Sequence, residues 1–225
     1  MTSSVSSLGR SAKQQLILTA ERLYAVHGLD GAPLSRIVSE AGMSNKSAVQ
    51  YHFGSKQALI AAILTNRLDD LTRRRTLLVA RTPPADLRRV LETHQLPLME
   101  LAEDPDCYYL PFLEQLLHDV RHLENLPEAH QQMQHAYYAR IGVLVPEIPR
   151  PLLDLRIEQA SLTCLGLCAH RHRIRALGLA TPPFALHVSQ VLDGLVAQLS
   201  TPPSAETLAA LDPSPTSRPT LHALP

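Results

Sequence analysis

Ala41-Gly42-Met43-Ser44-Asn45-Lys46-Ser47-Ala48-Val49-Gln50-Tyr51-His52-Phe53-Gly54-Ser55-Lys56 is a short segment bracketed by two glycines. Ser44 or Asn45 can cap a helix that runs to about Phe53, and Gly54-Ser55 separates it from a long helix starting near Lys56. The long helix carries Ile60, Ile63, Leu64, Leu68 and Leu71 on one face. Upstream, Pro33 suits a first helical position, and Leu34, Ile37, Val38 and Ala41 form a short apolar face ending at Gly42. Further back, Ser11 is a candidate N-cap for a helix with Leu16, Ile17, Ala20, Leu23 and Tyr24 on one side and His27-Gly28 as its stop. Short helix, glycine turn, short helix is the helix-turn-helix arrangement.

The second short helix has the side chains that base recognition needs. Gln50 can pair bidentately with adenine and Lys46 can donate to guanine, while Ser47 and Ala48 are small enough for close approach or for contact with a thymine methyl. Val49 and Phe53 fit the core. Ser35 and Arg36, at the start of the preceding helix, are candidates for phosphate contact, although an exposed arginine is more often simply solvated. Residues 1–56 hold six basic groups against three acids, and all three lysines of the chain fall there, whereas the whole chain has a net charge of zero.

The stretch quoted above resembles the signature of the tetracycline-repressor (TetR) family, most clearly in Tyr51-His52-Phe53-Gly54-Ser55-Lys56. The likeness is strong over residues 11–64. Beyond them the chain is similar only as a helical region of suitable length. The resemblance implies that Tyr51, His52 and Lys56 bind the phosphate backbone, with Lys56 also at the positive end of the long helix. Relative to the commonest family spacing, one additional residue lies between Gly42 and Phe53, and Pro33 replaces a hydroxyl residue. Gln50 onward is therefore the firmer carry-over.

After Arg81, prolines divide the chain into expected helices at about 85–103, 107–125, 128–145, 152–177 and 184–200, with Pro97 and Pro111 inside two of them. No segment alternates as a strand would, so the fold class is all-α: an N-terminal three-helix domain over 11–56 and a larger helical domain over 57–200. Residues 1–10 are expected to be flexible, and the Pro-rich 201–225 a disordered tail.

For the larger domain the resemblance implies a small inducer and a homodimer. Pocket candidates gather between residues 94 and 138: His94, Met99, Tyr108, Tyr109, Phe112, Leu116, Met133, Tyr137 and Tyr138, for which core packing is nearly as good an explanation. Dimer candidates are Ile157, Ala160, Cys164, Leu167 and Cys168 on one helix and Phe184, Val188, Val191, Leu195 and Leu199 on the last, with an intramolecular core as the competing reading. Two symmetric copies would read a palindromic operator in double-stranded DNA.

Other chemistry has little support. His118 and His122 stand at i, i+4, a metal-ligand spacing, but solvated histidines are simpler, and no metal or cofactor is implied. Cys164 and Cys168 read as buried thiols, and three cysteines without CxxC indicate neither disulfides nor a zinc finger. The basic run from His170 to Arg175 lies at a helix C-terminus, which favours cations. Arg73-Arg74-Arg75 reads as a solvated face. There is no phosphate loop, nucleophile elbow or HExxH for an enzyme. Without a signal peptide or membrane span, the chain is expected to be cytoplasmic. The expected function is a DNA-binding transcriptional regulator, a repressor released by an inducer. The alternative is a helical ligand-binding or interaction protein whose helix-turn-helix is vestigial.

Overall fold

A computed structural model describes residues 11–81, 86–117 and 128–211. The expected flexible N-terminus, the His118/His122 pair and the tail beyond 211 lie outside them. Among the described residues there are ten α-helices and one 3-10 turn, and no strand. None of these helices is long and apolar enough to cross a membrane. The residues form two compact units, one of residues 11–68 and 108–117, the other of 69–81, 86–107 and 128–211. The expected boundary at residue 57 thus moves into the middle of a helix.

The first unit is built on α1 (Ala12–His27), α2 (Leu34–Glu40), α3 (Ala48–Phe53), the first half of α4 (Lys56–Arg81) and, from further along the chain, a helix over Tyr109–Leu116. Ser11 caps α1 as its sequence suggests, its hydroxyl accepting from Gln14 N–H at 3.2 Å. The face Leu16, Ile17, Ala20, Leu23, Tyr24 is buried, as are Leu59, Ile60, Ile63 and Leu64 of α4. The i, i+4 spacing of both stripes explains why the two helices bury a common core.

A charge lies inside this core. Glu21 is 2% exposed, and Arg67 of α4 grips it with both arms of the guanidinium, Nε to Oε2 at 2.8 Å and Nη2 to Oε1 at 2.6 Å. Two parallel charge-assisted bonds satisfy both oxygens of the buried carboxylate. The Arg67 guanidinium also stands 5.8 Å from the Tyr109 ring centroid.

The second unit contains the rest of α4, α5 (Leu87–Glu100), the 3-10 turn Leu101–Glu103, α7 (Glu128–Leu144), α8 (Arg150–Ala176), α9 (Phe184–Ser200) and α10 (Ala205–Leu211); the Tyr109–Leu116 helix is α6. The expected helix over 85–103 is therefore α5 plus a 3-10 turn. α10 corrects the expectation of a disordered tail from 201: Ser204 Oγ accepts from Thr207 N–H at 3.2 Å and starts a short helix, none of whose residues is buried. In the basic run of α8, Arg171 is buried and donates to Glu103 at 2.5 Å and to the Pro182 carbonyl at 2.8 Å. It thus joins α8 to the 3-10 turn, whereas Arg173 and Arg175 occupy the last turn of the helix. Arg75, read from sequence as part of a solvated face, is instead 7% exposed. It continues the buried stripe of α4 one turn past Leu71, and its Nε donates to the His94 carbonyl at 2.8 Å.

Around Arg75 lies a polar layer in an otherwise aliphatic interior. His94 stacks on Tyr137, the centroids 3.7 Å apart and the planes 8° from parallel, and His130 is 7% exposed. Burial foremost, then the Arg75 charge, pulls the His130 imidazole down to about 4 and holds His94 well below its usual range. Burial pushes the Tyr137 hydroxyl up, so all three rings are neutral.

Two outcomes are expected. Arg67→Met strands the Glu21 carboxylate in the core and should cost about 3 kcal/mol in a urea melt. Glu21→Leu combined with Arg67→Met should recover much of that loss. Unfolded histidine titrates near 6.5 and folded His130 near 4. Between these values the unfolded state holds the extra proton, so stability rises with pH and is lost as pH falls from 6.5 toward 4. His130→Leu should make that pH dependence of the melting temperature shallower.

Candidate nucleic-acid interface

α3 has six residues, too few to persist alone, so its position is set by what bounds it and what lies beneath it. α2 ends in a Schellman motif. Gly42 adopts φ +72°, its N–H donates to Ser39 O at 3.0 Å, and Met43 N–H donates to Val38 O at 3.1 Å. The chain then crosses an Asx turn in which Asn45 Oδ1 accepts from Ser47 N–H at 2.9 Å. The expected cap at Ser44 or Asn45 is thereby corrected. Asn45 organises the turn, and the helix begins at Ala48, with Ser47 at its N-cap position. Gly54 ends α3 in the left-handed region at φ +79°, and Ser55 Oγ then accepts from Ala58 N–H to open α4. Pro33 likewise sits one place earlier than expected, as the extended N-cap residue of α2.

These constraints divide α3 into two faces. Ala48 and Val49 are buried, at 5% and 2% exposure. Ser47, Gln50 and Tyr51, one turn apart, face solvent together with Lys46, and Tyr51 is 81% exposed. Ala48 is therefore corrected from a base contact to an anchor, because its methyl packs inward. Phe53 is half-buried rather than fully core, with Lys13 Nζ 5.6 Å from its ring centroid. His52 is half-buried and meets the Tyr51 ring edge-on at 4.9 Å.

The cations nearby are not equivalent. Lys46 is exposed and has no carboxylate partner among the described residues. Lys56 is tied to Asp30 at 2.9 Å, and Arg36 to Glu40 at 2.8 Å. Arg22 also reaches Glu40, at 2.6 Å. The hydrogen bonds from Arg36 and then Arg22 hold the Glu40 carboxyl below its ordinary range. Such exposed pairs are weak, typically about 0–1 kcal/mol, so a phosphate can displace the carboxylate. Ser35 is exposed beside Arg36 at the start of α2. Sequence reasoning missed Ser44 and Asn45 as members of the exposed surface that continues from Lys46.

The residues assigned to the larger domain separate. Tyr109, Phe112 and Leu116 are buried in the first unit, where Phe112 stacks on Tyr24 at 6.4 Å, and half-buried Tyr108 belongs to the same unit. His94, Met99, Met133, Tyr137 and Tyr138 lie in the second unit, so no single unit contains the nine as one pocket. The neighbours that His94 and Tyr137 do have, Arg75, Gln95 and His130, were missed. His130 and Tyr137, seven apart on α7, carried a helical-face signal that could have found one of them.

The dimer assignment needs a parallel correction. Ile157, Ala160, Cys164, Cys168, Val191, Leu195 and Leu199 are all buried, because α8 and α9 pack these stripes into the interior of their own unit. Phe184 and Val188 are half-buried. Of the ten, Leu167 alone is exposed, and it belongs to an outward face of α8 with Leu155 and Leu162; Leu186 is exposed on α9.

Three comparisons bear on this geometry. Residues 16–63 match the family model described as bacterial regulatory proteins, tetR family. A TetR family transcription regulator from Marinobacter aquaeolei VT8 superposes with a TM-score of 0.55 at 16% identity, covering 81% of this chain and 94% of that one. A protein assigned to the same family of regulators from Shewanella sp. PV-4 gives 0.55 at 17% identity, covering 83% and 96%. At such identities the structural likeness shows a shared fold. No curated protein matches the sequence. Residues 16–63 thus match the model of the tetR family of bacterial regulatory proteins, and the chain shares its fold with the two regulators named above.

Proposed function

We propose that this regulator is a cytoplasmic homodimer that represses transcription by setting α3 of each subunit into the major groove of a palindromic operator, and that a small inducer releases it. The supporting observation is the outward face of α3: Lys46, Ser47, Gln50 and Tyr51 exposed together above the anchors Ala48 and Val49. Gln50 and Ser47 are placed for base edges, and Lys46 for guanine or phosphate. Tyr51 grips phosphate, with His52 beside it, and Lys56, Ser35 and Arg36 bind the backbone once it displaces their carboxylate partners. Regulators of this family are typically non-enzymatic DNA-binding proteins that act as dimers, which favours the same reading here. Nothing in α3 favours a vestigial role, since its polar face is intact.

The second copy is best received by the outer faces of α8 and α9. Leu155, Leu162 and Leu167 are between 42% and 48% exposed and Leu186 is 52% exposed. Gly166 and Gly194 have open space above them, which allows two backbones to approach closely. In the second unit, the inducer site is proposed to include His94 and Tyr137, with Met99, Met133 and Tyr138 on the same unit.

DNA selected by the purified chain from a random pool should contain an inverted repeat. Gln50→Ala should relax base preference at one position per half-site, by about 1–3 kcal/mol for the favoured base. Tyr51→Ala should weaken binding to all sequences alike, and Lys46→Ala should reduce the slope of log affinity against log salt by about one per subunit. Unchanged selection by both Gln50→Ala and Tyr51→Ala would remove α3 as the docking helix. Leu162→Arg with Leu186→Glu should shift the chain from dimer to monomer in sedimentation and lower operator affinity with it.

A further inference from the structure

The polar layer of the second unit is built unlike a core. Arg75 from α4, His94 and Gln95 from α5, and His130 and Tyr137 from α7 are each more than nine-tenths buried, where a helical protein ordinarily places aliphatic side chains. Parts of the layer are satisfied internally. Arg75 Nε donates to the His94 carbonyl, and Gln95 Nε2 reaches the Tyr137 hydroxyl at 3.5 Å. His130 breaks the rule that buried polar atoms are paired: its Nδ1 is enclosed and has no hydrogen-bond partner among the described residues. An unpaired buried nitrogen is a cost to folding, so the imidazole is better explained by something that binds it.

The sign of the local field indicates what that partner is. The Arg75 guanidinium acts on both imidazoles and opposes their protonation. A ligand group placed there is favoured if it is negative and accepts hydrogen bonds, since a guanidinium offers only donors and an imidazole can offer its N–H. The stacked His94 and Tyr137 rings supply a flat wall for an apolar body.

We infer that the effector of this regulator is a small organic acid whose carboxylate is received by Arg75 and His130, with its apolar part against the His94–Tyr137 stack. This rests on the reading that the second unit holds the inducer site, and it adds the chemical class and the residues that select it. A neutral amide of the same shape offers one acceptor fewer and no charge, and would be discriminated against.

The test uses the full chain and four acids, benzoate, phenylacetate, hexanoate and octanoate, each paired with its primary amide, in titration calorimetry. At least one acid should bind, with its amide at least about tenfold weaker. His130→Leu should lower that acid's affinity by about tenfold or more while leaving the melting temperature of the empty protein unchanged or raised. Arg75→Gln should abolish binding. Because Arg75→Gln can fail to fold, His130→Leu is the deciding variant. Failure of all four acids to bind, equal binding of acid and amide, or wild-type affinity in His130→Leu would each overturn the inference. Operator retention is measured separately with the acid that binds. Release supports the inducer reading, whereas binding without release removes that reading and leaves the carboxylate site standing.

Discussion

A helix of six residues forms too few internal hydrogen bonds to offset the entropy of ordering it, so α3 exists only because its surroundings require it. The Schellman end of α2, the Asn45 turn, the left-handed Gly54 and the burial of Ala48 and Val49 hold it from both ends and from beneath. The frame they attach to is itself pinned. Glu21 and Arg67 join α1 to α4 by a two-armed bond in the core, which is costly to bury and specific in geometry. Orientation of the exposed face of α3 therefore derives from the packing of α1 and α4 as much as from α3 itself.

The first unit was largely legible because its signals are local. Ser11, Gly28, Gly42 and Gly54 fall where helices start or stop, and the buried faces of α1 and α4 follow a spacing of three and four. The start of α3 was misplaced because Asn45 can cap a helix or close a turn, and only the path of the chain selects between them. Ala48 was misread for a related reason: alanine is compatible with either face of a helix, and its side follows from the register set by Ser47.

The second unit was less legible, since its errors concern which of two apolar faces points inward. α8 carries leucines on both, and its small residues Ala160, Cys164 and Cys168 suit a tight intramolecular contact as well as a dimer. Periodicity reports that a stripe exists and is silent about which neighbour covers it. Likewise Tyr108 and Tyr109 precede those of α7 in the same stretch of chain, yet they belong to the other unit, where Tyr109 lies beside Phe112. Composition over a window does not resolve such a division. Arg75 was misassigned because an arginine triplet looks solvated, although its third member falls on the inward stripe of α4.

The division of α3 into an exposed and a buried face has a practical corollary for engineering. Positions 47, 50 and 51 contribute little to the interior, so a combinatorial library confined to them varies the exposed surface of α3 without eroding the scaffold. Diversity introduced at 48 or 49, or at Gly54 with its positive φ, would be spent on clones in which α3 is no longer held in place.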